Sequence, residues 1–213
     1  MRNTKHKSDR RNGFYFLGNR LALDFLNTRP VQDEHPIELL PDFGGLLRWF
    51  RAAGLLNSQE VAVLRQGWNA SVRARTTTEA IRHLRENLRE LVLAWENGGN
   101  VRDSTLRELN RLMAAHPMHT RLKTKGKSLS TELWFEAREP EDLFAPLAHS
   151  AAALFATAVR GRVRKCQRCV LHFQDTSKKG TRRWCSMQLC GNRLKVAAYA
   201  ARRRRSIQQA KTN

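Results

Sequence analysis

Residues 166–195 read CQRCVLHFQDTSKKGTRRWCSMQLCGNRLK and hold all four cysteines of the chain, as Cys166-x2-Cys169 and, after fifteen intervening residues, Cys185-x4-Cys190. Zinc takes four ligands at tetrahedral corners, and a C-x2-C pair on a tight turn aims two thiolates at one point. The second pair has to return from a separate element. Phe173, the turn-rich run Asp175–Gly180 and a return strand over Thr181–Trp184 predict a hairpin that the first pair begins and the second follows. No apolar signal segment follows the basic N-terminus, MRNTKHKSDRRNG, so clustered cysteines favour a metal over two disulfides. One Zn2+ per chain is expected, on Cys166, Cys169, Cys185 and Cys190. Arg164, Lys165, Arg168, Arg183 and Arg193 lie around these ligands and offset the charge of four thiolates.

Downstream, Gly191–Arg205 is alanine-rich and free of internal glycine or proline, which predicts a helix with Leu194, Ala197, Ala198 and Ala201 on its apolar stripe. Asn192, Arg193 and Lys195 sit at its start beside the last ligand, where side chains are held firmly enough to reach base edges. Arg202, Arg203, Arg204 and Arg205 lie at its far end and suit phosphates; Arg182 and Arg183 join them as candidates. The charge supports this. Of the formal +20, residues 160–213 carry sixteen Lys or Arg against the single acid Asp175, whereas residues 13–159 carry eighteen against seventeen. So segregated an excess points to a polyanion, double-stranded DNA first and RNA second. No apolar run approaches the ~20 residues of a membrane span.

Upstream the pattern is mostly helical. Residues 21–26 suit a short strand or a buried helix equally. Phe43, Leu46, Leu47 and Phe50 predict a helix stopped by Gly54, and Asn57-Ser-Gln-Glu60 reads as the capping box of a second. Thr76-Thr-Thr-Glu79 reads as the cap of the longest helix, which Gly98-Gly99 ends; residues 104–115 predict a fourth. Alternation on either side of Lys125-Gly126-Lys127 predicts a β-hairpin, rich in Arg121, Lys123, Lys125 and Lys127, before a last helix over 141–159. The expected class is α+β, mostly α: a basic disordered tail over 1–12, a helical N-terminal domain with a β-hairpin over 13–161, and a small treble-clef-like zinc finger with a basic helix over 162–213.

The string Cys-x2-Cys…Phe173-x-Asp175-x-Ser177…Arg182-Arg183-Trp184-Cys185-Ser186-Met187-x2-Cys190-Gly191-Asn192-Arg193-x-Lys195 resembles the zinc finger named for its Cys-Gly-Asn-Arg motif. Gly18-Asn-Arg-Leu-Ala-Leu-Asp-Phe-Leu-Asn-Thr28 is similar to a stretch of the ABATE domain that accompanies this finger. The resemblance implies a bacterial, stress-linked transcription regulator whose N-terminal domain senses a small-molecule effector.

Asp24 and Asn27 are polar residues in or beside an apolar run; they line a ligand pocket or else satisfy buried backbone. Asp175 is expected to bond turn N–H groups or a nearby arginine, Trp184 to pack beneath the metal, and His172 to stand outside a site that four cysteines already close. A closed site leaves no position for a reacting water, and no hydrolase, kinase or dinucleotide motif is present, so the chain is not expected to be an enzyme. The reading is a zinc-dependent DNA-binding transcription regulator of the cytoplasm, associated with the nucleoid. The alternatives are an RNA-binding or ribosome-associated zinc protein and a zinc-stapled protein-interaction module.

Overall fold

The computed structural model describes residues 9–32, 34–126 and 128–191, apart from the side chain of Lys125. Among the described residues six α-helices carry the body: α1 Leu21–Leu26, α2 Phe43–Ala53, α3 Ser58–Trp68, α4 Val72–Glu96, α5 Asp103–Ala115 and α6 Phe144–Thr157. Eight short strands among them form four antiparallel two-stranded hairpins: β1 Arg10–Arg11 with β2 Phe14–Tyr15, β3 Val31–Gln32 with β4 His35–Pro36, β5 His119–Lys125 with β6 Ser128–Trp134, and β7 Val163–Lys165 with β8 His172–Gln174. The class is thus mostly helical with small hairpins, as the patterning predicts.

Local signals place most helix ends. The Asn57 side chain accepts from the Gln59 and Glu60 N–H groups while Glu60 reaches back to Asn57, a complete capping box for α3. Asp42 caps α2, and Gly54 ends it in the left-handed region at φ 79°. The start of α4 differs from the sequence reading. Ser71 is the cap, accepting from Ala74 N–H at 3.0 Å, and Thr77 and Thr78 are buried inside the helix. Thr78 Oγ1 donates to the Ala74 carbonyl at 2.7 Å, so its hydroxyl is satisfied within the helix rather than at its end.

α1 is the pivot. It packs against α4, α6 and β8. Its run Leu21–Leu26, ambiguous in sequence, is helical, with Ala22, Leu23, Phe25 and Leu26 buried. Phe25 and Phe50 flank the buried Trp49 at ring separations of 5.7 and 5.3 Å. Beneath α1 lies the nearly inaccessible Arg85. It donates to Glu38 at 2.5 Å, Glu86 at 2.8 Å and Thr28 Oγ1 at 3.0 Å, so its buried charge is fully paired. Arg89 donates to the Leu26 carbonyl at 2.6 Å, placing a cation on the exposed end of the α1 peptide dipoles.

Of the N-terminal tail, Arg10 and Arg11 belong to a strand and are part of the fold; residues 1–8 lie outside the described residues.

Candidate metal centre and its seat

The strands β7 and β8 bracket the first cysteine pair. Val163 faces Gln174 and Lys165 faces His172, so Cys166 and Cys169 stand on the connecting turn, which the Cys166 N–H closes by donating to the Leu171 carbonyl at 2.8 Å. This corrects the sequence reading, in which the first pair began the hairpin rather than standing at its turn. The expected return strand at Thr181–Trp184 is not a strand. Asp175, Arg162, Arg164 and Arg182 shape that segment instead.

Asp175 is inaccessible to solvent, with Oδ1 accepting from Ser177 N–H at 2.9 Å and Oδ2 from Arg182 N–H at 2.8 Å. Burial alone would raise its pKa; those bonds and the nearby Arg164 hold it down to about 2. Arg162 donates to the Ser177 carbonyl at 2.7 Å and Arg164 to that of Gly180 at 2.8 Å. Arg182 lies 4.5 Å from the Phe173 ring centroid and donates to the carbonyls of Trp184, at 2.8 Å, and Cys185. These three guanidiniums therefore hold the loop together, and Arg182, a nucleic-acid candidate from the sequence, faces inward.

The second pair arrives on the far side of this loop. The Gln167 N–H donates to the Arg183 carbonyl at 3.2 Å, tying the two cysteine turns together. A wide helical turn, Met187–Gly191, presents Cys190. A Cβ on Gly191 would lie 2.5 Å from Met187 Sδ, the end of a flexible and partly exposed side chain that can swing aside.

All four sulfurs lie within 4.8 Å of one another, with Cys169–Cys185 and Cys185–Cys190 at 3.6 Å. Zinc–sulfur bonds of about 2.3 Å at tetrahedral angles put sulfurs about 3.8 Å apart, so the cluster fits one zinc ion. Without a cation such crowding resists ionisation: hydrogen bonding to Cys166 pushes Cys169 up to about 12 and Cys185 upward as well, while bonds from Cys169 and Cys185 pull Cys166 down. A divalent ion relieves that conflict, because it is bound by thiolates. His172 is outside the set. Its ring is buried, neither nitrogen has a partner among the described residues, and burial, then Arg89 and Lys165, lowers its pKa to about 4.

The centre is not freestanding. Cys166, Leu171, Phe173, Cys185 and Cys190 share one small core with Leu17, and Tyr15 and Trp184 pack against it. The open edge of β8 is met by the stretch 18–27. Gln174 N–H donates to the Gly18 carbonyl at 2.8 Å, and Asn19 Nδ2 donates to the Gln174 carbonyl at 2.8 Å. The fully buried Asn27 completes the edge: its Oδ1 accepts from His172 N–H at 2.8 Å and its Nδ2 donates to the His172 carbonyl at 3.0 Å. Asn27 thus pairs with a β8 peptide as a neighbouring strand would. Asp24 Oδ1 accepts from Gly18 N–H at 2.7 Å; burial is the largest influence on it and raises its pKa to about 7. A Cβ on Gly18 would sit 2.7 Å from Leu23 Cβ and 2.9 Å from the Asp24 backbone nitrogen, so this turn excludes a side chain. Both amide atoms of Asn27 and one Asp24 oxygen, offered by the sequence to a ligand, are therefore taken up by the chain itself.

Sequence reasoning missed this seat, although the Gly18-Asn-Arg string was conspicuous in it. The signal lay in the unsatisfied edge: a three-residue hairpin cannot complete its backbone bonds alone. Lys165, Arg168, Lys178, Lys179 and Arg183 are exposed, with Arg183 5.5 Å from the Trp184 ring. Asn192, Arg193, Lys195 and Arg202–Arg205, with their expected helix, lie outside the described residues.

Against known families, residues 19–158 match the model of ABATE, described as "putative stress-induced transcription regulator", and residues 162–203 match that of the CGNR zinc finger. No curated protein matches the chain.

Proposed function

Because the chain belongs to the ABATE family and carries a CGNR zinc finger, we propose that it is a zinc-dependent, DNA-binding transcription regulator. The observation that carries this reading is the segregation of charge: sixteen basic residues against one acid after residue 159, on the module that the cysteines hold together. Bound zinc would serve as a structural cross-link between the two cysteine turns, with no reacting position. Arg162, Arg164 and Arg182 act within the fold. Arg168, Lys178, Lys179 and Arg183 are left to meet phosphates, with Arg202–Arg205 beyond them. Asn192, Arg193 and Lys195, directly after Cys190, supply base-edge contacts.

Fluorescence anisotropy of the zinc-loaded chain on duplex DNA and on structured RNA of equal length, at matched salt, tests the reading. Preference for duplex and a steep salt dependence are expected. Removing Arg202–Arg205 should flatten the slope by about 0.9 per lost phosphate contact. Arg193→Ala should keep its zinc and lose about 1–3 kcal/mol on a specific site, with less lost on random DNA. Preference for RNA would favour a ribosome-associated role, and no salt-sensitive binding to either would favour a protein-interaction module.

A further inference from the structure

Three adjoining cavities, of about 370, 370 and 320 Å3, run across α2, α3 and the start of α4. The first two share Arg48 and Arg65, and the first and third share Asp42, Phe43 and Asn69, so together they form one groove. Five arginines line it: Arg48 and Arg51 from α2, Arg65 from α3, and Arg75 and Arg82 from α4. The acids in its wall are Asp42 and Glu79. Asp42 is already committed, because its Oδ1 accepts from the Gly45 N–H at 2.6 Å as the cap of α2.

Elsewhere in this domain arginines meet carboxylates. Arg73 reaches Glu139 and Glu141, Arg85 reaches Glu38 and Glu86, and Arg121 reaches Glu132. In the groove, among the described residues, no carboxylate lies within 4 Å of any of the five guanidiniums. Arg48 and Arg51 stand three residues apart on one helix face, and like charges so placed oppose the helix. Arg48 also folds back over the first turn of α2. A Cβ on Gly44 would stand 3.8 Å from Arg48 Nη1 and 3.7 Å from Asn69 Oδ1, so glycine keeps the floor open between those two groups. Cations that the fold neither pairs nor buries repel one another, and an anion entering the groove relieves that repulsion. Each guanidinium offers a planar fork that matches a phosphate or a carboxylate.

We propose that this groove binds a small molecule carrying two or more oxyanion groups, phosphate or carboxylate. Arginines along its whole length suit charges spread over one ligand better than a single ion, and Pro41 and Ala62 supply apolar wall for a carbon frame. Cavities of this size are those that take small ligands. The groove is also remote from the basic module. Glu96, at the other end of α4, is the residue that accepts from the Lys165 N–H, about 30 Å along the helix from Arg75. The site therefore stands whether or not the zinc module binds DNA.

Heteronuclear NMR of the full, zinc-loaded chain at about 0.15 M salt, titrated with inorganic tripolyphosphate and in parallel with citrate, tests this. At least one of the two should shift the Gly44 and Asn69 amides and the Arg48 and Arg65 Nε signals saturably, with a Kd below about 1 mM. The tighter of the two tells phosphate from carboxylate. Orthophosphate and acetate, with one such group each, should bind at least about tenfold more weakly. Arg48→Gln with Arg65→Gln should weaken the binding at least about tenfold. Both side chains are exposed, so the thermal midpoint should be unchanged. Lys178→Gln with Lys179→Gln, on the finger loop, should leave the groove shifts as in the wild type. Groove signals that do not move, or that move equally in the arginine variant, would overturn the proposal. So would shifts produced by duplex DNA and by neither small anion, which would make the groove a nucleic-acid contact.

Discussion

β5 and β6 run seven residues each and meet no other strand, whereas β7 and β8 run three residues each and are met along the outer edge of β8 by residues 18–27. The longer hairpin leaves three leucines in solvent; the shorter one buries His172, Phe173 and Val163 almost completely. Strand length is therefore a poor guide to how deeply a hairpin is built into this molecule. What separates the two is the fate of the open edge. β8 finds a second partner in Gly18, Asn19 and Asn27, and through it the metal centre becomes continuous with α1. The β5–β6 hairpin is anchored at its base, where Phe135 is buried 6.5 Å from Phe50, and otherwise rests on its own cross-strand pairs.

Removing the metal should have the largest effect, because much of the folding free energy of a small zinc module comes from the ion. Chelation, or Cys185→Ser, should unfold residues 162–191 and leave the β5–β6 hairpin untouched. It should also lower the helical melt, since Leu17 shares the cysteine core and uncovering it costs about 1.5–3 kcal/mol. Calorimetry with and without chelator checks this; an unchanged helical melt would mean that the two parts are energetically separate.

Asn27→Ala comes next. It strands the buried N–H and C=O of His172 and should cost about 2–4 kcal/mol in chemical denaturation. Leu129→Ser on the exposed hairpin face marks the other extreme of the comparison. It should change stability by no more than about 0.5 kcal/mol.

Protonation sharpens the contrast between these two. Asp24 is raised from 3.8 to about 7, so the folded state holds its proton where the unfolded state does not, and stability falls as pH rises through that window. His172 is lowered from 6.5 to about 4, so the unfolded state takes up a proton that the folded state refuses, and stability rises with pH between those values. The contributions of these two groups largely cancel between pH 4 and 6.5. Asp24→Asn removes one of them. With zinc kept in excess across the window, its stability from denaturation midpoints should rise with pH more steeply than the wild type's, by up to about 1.4 kcal/mol per pH unit. A profile unchanged from the wild type would contradict the burial of Asp24.

The cysteine ligands and most helices were legible in the sequence because each rests on a local signal: ligand spacing, the Asn57–Glu60 box, the stop at Gly54. The start of α4 was not. A Thr-Thr-Thr-Glu string suits a cap, yet burial of Ala74, Thr77 and Thr78 carries the helix back to Val72. The role of 18–28 was illegible for a different reason: Asn27 and His172 are 145 residues apart in the chain. The polar residues of the stretch were visible as unusual, but their partner is a backbone edge, which no side-chain pattern reports. The bonds of Arg182 to the Trp184 and Cys185 carbonyls were illegible in the same way, since a cation in a basic cluster gives no sign that it faces carbonyls.

The central claim is that the metal-bearing hairpin and the helical domain form one cooperative unit through the open edge of β8. Native-state hydrogen exchange at the His172 and Gln174 amides tests it most directly. In the zinc-loaded wild type both should exchange as slowly as the Leu26 amide in α1, and in Asn27→Ala both should speed up together with it. Fast exchange at His172 and Gln174 beside a protected Leu26 would show a finger that opens independently of the domain, and would contradict the account.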